Sequence, residues 1–85
     1  MKNHINLSEL STGNRARVVL TQGNTALKQR FEDLGISQGT EILCVMKSPL
    51  GDPVAYLIRG ALIAIRKEDA SNIIVEQYEE ADGWD

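Results

Sequence analysis

The chain has 85 residues, 42% of them apolar and 25% charged, which describes one domain of ordinary soluble composition with no room for a second. A net charge of −3 and a pI near 5.0 argue against nucleic acid, whose phosphates call for a net basic face, and one Phe, one Trp and two Tyr offer few platforms for stacked bases. No apolar run approaches the roughly 18 residues of a membrane span, so direct membrane insertion is not expected.

The first eight residues lack the apolar core of a signal segment, and the single cysteine, Cys44, has no partner for an internal disulfide. Both features lead to the expectation of a cytoplasmic protein. Residues 7–10 read as a lead-in and 12–14 as a turn. A first strand is predicted over 15–20, with Arg15 and Arg17 on one face because strand side chains alternate. Asn24 and Thr25 are candidate N-caps for a helix over 25–34. In that helix Leu27, Phe31 and Leu34 form one stripe, spaced four and three. Gly35 is placed to end the helix in the left-handed conformation, and Ile36 to fold back onto its last turn.

Strands follow over 40–47, 54–59 and 61–66. The first two are separated by Pro49-Leu50-Gly51-Asp52-Pro53, a turn phrase in which the Asp52 carboxylate is positioned as a cap. Residues 67–71 read as one helical turn and 72–77 as a last strand. Short strands split by turn residues around one short helix predict a mainly β chain folded as a small barrel. The domain is expected to span 1–77. Residues 78–85 hold four acids and little to bury, and are expected to form an acidic, disordered tail.

The strand pattern also predicts a register. A two-residue hairpin loop at Arg59-Gly60 pairs Ile58 with Ala61, Leu57 with Leu62, Tyr56 with Ile63 and Val54 with Ile65. Val54, Tyr56, Ile58, Ile63 and Ile65 then share one face, while Ala55, Leu57, Leu62 and Ala64 share the other. A five-residue loop over 48–52 aligns Leu43 with Leu57 and Val45 with Ala55. Leu43, Leu57 and Leu62 thus form a row across three strands, and both faces of the sheet are apolar. Either the helix or the N-terminal segment covers that row, or it is open to a partner protein.

Charge is unevenly placed. Residues 1–67 carry all nine Lys and Arg against five acids, a balance of +4, whereas residues 68–85 carry seven acids and no base. The acidic end is either a solvated tail or a segment that docks on, or competes for, the basic body. Catalysis finds little support. A nucleophile needs a base within hydrogen-bond reach. The only histidine is His4, near a loose end, and Cys44 falls in the inward register with Ile42 and Met46, where a thiol behaves as a small apolar group. There is no phosphate-cradling Gly-x-x-x-x-Gly-Lys loop. One His and one Cys far apart do not make an iron site. No catalytic residue, cofactor or metal site is expected, and the chain is not expected to be an enzyme.

The phrases Leu34-Gly35, Gly39, Pro49, Gly51-Asp52-Pro53, Gly60 and Arg66, in this order, resemble the ferrous iron transport protein A (FeoA) family of small SH3-like β-barrels. The resemblance covers about residues 7–75. It departs at Leu57 and Leu62, where the family pattern leads one to expect polar residues, and at Phe31, where an aliphatic is more usual. It implies a cytoplasmic accessory of bacterial ferrous iron uptake whose partner is FeoB, a membrane transporter with a cytoplasmic GTP-binding domain. Docking on that domain or on the membrane part, with an effect on the GTPase cycle or on transport, is what the family role implies. Arg30 and Arg66 match positions that are characteristically arginine. They are either guanidinium clamps on loop carbonyls or on acids such as Asp33 and Asp69, or contacts to an acidic partner surface. The candidate partner-binding residues are therefore Leu43, Leu57, Leu62, Arg30 and Arg66. The alternative is a stand-alone SH3-like interaction domain related to the C-terminal domain of metal-dependent repressors.

Overall fold

A computed structural model describes residues 3–77, so the tail expected over 78–85 lies outside the described residues. In chain order the elements are β1 (Asn3–Asn6), a 3-10 turn (Leu7–Glu9), β2 (Arg15–Thr21), α1 (Thr25–Asp33), β3 (Glu41–Lys47), β4 (Val54–Ile58), β5 (Ala61–Ile65), α2 (Lys67–Ala70) and β6 (Ile73–Gln77). Each element expected from the sequence is present within about two residues of its expected ends. β1 was not anticipated, because Ile5 is its only apolar residue and the local sequence carries no strand signal. It exists because β6 supplies a template: Ile5 lies opposite Val75.

All six strands form one antiparallel sheet in the order β1-β6-β2-β3-β4-β5. The expected barrel is not closed. β1 and β5 remain the two outer strands of an open sheet, and at four and five residues they do not bond to each other. Curvature comes instead from two bulges, at Val19 in β2 and Val45 in β3, since an extra residue on one strand bends it.

One face of the sheet carries the core. Ala16, Val18, Ile42, Cys44, Tyr56, Ile58, Ile73 and Val75 point inward, and Leu7, Leu10, Phe31, Ile36 and Ala70 close over them. Asn24 is the N-cap of α1, its Oδ1 accepting the Leu27 N–H at 2.8 Å. The helix stripe is narrower than expected. Phe31 is fully buried, Leu27 half-buried, and Leu34 faces outward at the C-cap. Gly35 then takes φ +85°, and the Ile36 N–H reaches back to the Phe31 carbonyl at 2.8 Å, burying its side chain against the last turn.

Tyr56 ties the sheet to the N-terminal turn, donating its hydroxyl to the Leu7 carbonyl at 3.3 Å. Burial, reinforced by the nearby Cys44 and Asp52, pushes this phenol up from 10 to about 12. The raised value favours the neutral phenol in the folded state. Its contribution is complete below pH 10 and is lost as pH rises through 10 towards 12, amounting to about 2–3 kcal/mol. Urea unfolding followed across that window is expected to show this loss, and Tyr56→Phe is expected to abolish it while lowering stability at neutral pH.

Candidate functional site

The opposite face of the sheet is where the leucine row lies. The hairpin register is as the sequence predicted, from Val54 opposite Ile65 to Ile58 opposite Ala61, and Arg59 and Gly60 both take positive φ as a type I′ turn requires. Leu43 lies opposite Leu57 and Leu57 opposite Leu62, with Arg15 opposite Leu43 on the other side. Leu57 is 39% and Leu62 59% exposed, and Leu43 is half-buried. Neither α1 nor the N-terminal turn covers the row, because both pack on the inner face.

The β3–β4 loop differs from expectation. Lys47 pairs with Val54, so the loop runs over 48–53, and Ala55 pairs with Met46 rather than Val45. The bulge at Val45 turns Met46 out of the inward register expected for it. Met46 is 54% exposed and joins the leucine face beside Ala55. A two-sided alternation cannot reveal this, since a bulge resets the parity of every later residue in the strand.

A groove of about 500 Å³ opens along this face, with Leu43 and Leu57 as its apolar lining and Arg15, Arg59, Thr40 and Glu41 around them. Arg59 is fixed there by the end of α1. Its Nε donates to the Gly35 carbonyl at 2.8 Å, and its guanidinium reaches Thr40 Oγ1 at 3.4 Å. This is a guanidinium clamp on a loop carbonyl, a role the sequence reading offered to Arg30 and Arg66. The signal for Arg59 was masked by its place in a turn dipeptide. Arg30 instead meets the Asp69 carboxylate at 3.4 Å, joining α1 to α2, one of the two acids anticipated for it. Arg66 is exposed at the N-cap of α2, its carbonyl accepting from Asp69 and Ala70. The fold therefore brings Leu43, Leu57 and Leu62 together, while Arg30 and Arg66 lie outside the groove lining.

Asp52 caps a different element from the one expected. Its Oδ1 accepts the Lys67 N–H at 2.9 Å, so it caps α2 across the mouth of the β4–β5 hairpin rather than its own turn. His4 lies 3.3 Å from Glu76, and Cys44 is buried in the core, where burial pushes its thiol up against opposing effects of Thr12 and Lys47. Among the described residues no three His, Cys, Asp or Glu side chains come together in a metal-binding group. No helix among them is long and apolar enough to cross a membrane.

The FeoA domain family model matches residues 5–77. The chain is 40% identical over 70 residues to an Fe(2+) transport protein A/Fe(2+) transporter FeoB fusion protein of Porphyromonas gingivalis. That match takes in 82% of this chain and 8% of the much longer fusion protein. Among solved structures, a FeoA-like protein of Clostridium acetobutylicum is 34% identical with a TM-score of 0.85, covering 94% of this chain and 93% of that one. A FeoA of Stenotrophomonas maltophilia complexed with zinc, an SH3 domain protein, is 31% identical with a TM-score of 0.74, covering 84% of this chain and 88% of that one. A manganese-dependent transcriptional repressor shares the fold alone, at 15% identity and a TM-score of 0.80, over 92% of this chain and 44% of that one. With the family model spanning nearly all the described residues and two FeoA structures superposing on them above 30% identity, the chain belongs to the FeoA domain family, whose setting is ferrous iron transport.

Proposed function

We propose that this chain is a cytoplasmic accessory of ferrous iron uptake that docks on FeoB through the outer face of its sheet. The observation that carries the reading is the row Leu43, Leu57 and Leu62, which among the described residues neither α1 nor the N-terminal turn covers. Exposed apolar side chains in register across three strands, bordered by charged groups, are the make-up of a protein interface and not of a solvated surface. The Porphyromonas gingivalis fusion supports FeoB as the partner, because a homologous domain there is covalently joined to a FeoB. Covalent joining raises the effective concentration of one module near the other and so suits a docking contact of modest affinity. Any effect on the GTPase cycle or on transport requires that docking favour one state of FeoB over another. Arg30, paired with Asp69 on α2, and Arg66 lie outside the groove lining, and this reading gives them no part in the docked face.

The test is a titration into the isolated cytoplasmic GTP-binding domain of FeoB, followed by amide NMR shifts of this protein. Saturable shifts at Leu43, Leu57 and Leu62 are expected. Leu57→Asp leaves the core untouched and is expected to weaken binding about thirtyfold, the ~2 kcal/mol of a central interface residue. Absence of shifts at high domain concentration rules out that domain and directs the same titration to the membrane part in detergent. Absence of binding there as well overturns docking on FeoB.

A further inference from the structure

β5 is an outer strand of the open sheet, bonded among the described residues to β4 alone. In a two-residue hairpin the residues flanking the turn exchange both backbone bonds, and bonded pairs recur at every second position. Ala61, Ile63 and Ile65 thus bond to Ile58, Tyr56 and Val54. Leu62 and Ala64 direct their N–H and C=O groups away from β4, and no other described strand lies beyond them. Both residues are exposed. Such a row of backbone groups is a template for a further strand, and edges are commonly guarded against this by charges, prolines or bulges. β1, at the other outer position, carries Asn3, His4 and Asn6, and His4 meets Glu76. β5 reads Ala-Leu-Ile-Ala-Ile, with no charge, no proline and an unbroken register on β4.

The side chains of the same two residues belong to the outer face, where Leu62 ends the leucine row. A strand added beyond β5 places every second side chain beside Leu62 and Ala64, and so lengthens the row. Basic residues stand at both ends of this edge: Arg59 in the turn before it and Arg66 directly after it. They set the chemistry of the occupant. A second copy paired antiparallel about Ile63 brings Arg66 of each copy to the Arg59-Gly60 turn of the other, and like charges across a strand pair oppose it. An extended segment with apolar residues at alternate positions and an acid at each end meets the same edge with opposite charges.

We infer that the docking partner adds a strand to the edge of β5: an extended segment, apolar at alternate positions and acidic at its ends, pairs antiparallel with Leu62 and Ala64. The inference rests on the docking reading above and deepens it, from contact with the leucine row to main-chain pairing at the end of that row. Main-chain bonds supply the hold, and the row selects the side chains. Arg66, outside the groove lining, meets a carboxylate of the added strand in this arrangement.

The test is residue-resolved amide hydrogen exchange of this protein, free and saturated with full-length FeoB in detergent. In the free protein the Leu62 and Ala64 amides are expected to exchange faster than those of Ile63 and Ile65. In the complex both are expected to slow by about tenfold or more, because each gains an acceptor. Docking on the face alone offers those N–H groups no acceptor and leaves them fast. Ala64→Pro removes one outward N–H and leaves the bonds to β4 in place, since proline is tolerated on an edge strand. It is expected to weaken FeoB binding about tenfold with circular dichroism unchanged. Arg66→Glu is expected to weaken it several-fold at low salt and less at high salt. FeoB binding that leaves the two amides fast overturns strand addition while the docking reading stands, and this measurement uses the unaltered protein. So does full binding by a folded Ala64→Pro. No binding of FeoB at all overturns both.

Discussion

Replacing Phe31 by alanine is expected to remove about 3–5 kcal/mol, most of the stability that a domain of this size commands. Phe31 is the one fully buried residue of α1. A nine-residue helix is too short to persist in water by itself, so α1 holds its place through that ring packed among the inner residues of the sheet. Leu27 is half-buried and Leu34 outward, and neither can take over the anchor. The measurement is the urea midpoint by circular dichroism, with the slope checked for two-state behaviour. Phe31→Leu is expected to cost only about 1 kcal/mol because most of the buried apolar volume is kept. A loss below about 1.5 kcal/mol for Phe31→Ala would mean that α1 is held by its caps and not by its core contact.

Gly35→Ala is expected to cost about 2–3 kcal/mol from two separable causes. The left-handed conformation at φ +85° penalises any Cβ by roughly 1–2 kcal/mol. That Cβ also falls 2.7 Å from Arg59 Cδ and 3.1 Å from its Nε, so Arg59 must move off the Gly35 carbonyl. Losing that bond adds about 1 kcal/mol. Gly35→Asn separates the two, since Asn tolerates the backbone conformation but not the contact. A cycle with Arg59→Ala is expected to be non-additive, because both substitutions act on one bond. Additivity would show that the Arg59 clamp contributes nothing. The helix end and the groove are thereby mechanically joined, as the same guanidinium belongs to both.

The local grammar of the chain was readable where one residue type answers one physical need. Gly35 and Gly60 needed positive φ, Asn24 had an oxygen to cap a helix, and a two-residue loop at Arg59-Gly60 set the register of β4 on β5. Features set by distant partners were not readable. β1 has no strand signal of its own and is recruited by β6, Asp52 finds its N–H on another element, and Arg59 finds its carbonyl at the end of α1. The bulge at Val45 lay hidden for the same reason, and with it the outward turn of Met46. Barrel closure was over-read, because short strands with turns are common to closed barrels and to open, strongly bent sheets. The leucine row was legible as a row, and among the described residues neither α1 nor the N-terminal turn covers it.

The bond from Asp52 to Lys67 has a consequence for how the molecule opens. It joins residues 15 apart, but the β4–β5 pairing has already brought those positions together. The loop-closure entropy that would normally oppose such a contact is therefore small, and the cap keeps nearly its full strength. Conversely, the cap cannot outlive the hairpin. The loop over 48–53, the two strands and α2 form one latch, expected to exchange its amide hydrogens as a single cooperative unit while the sheet from β1 to β3 opens on its own schedule.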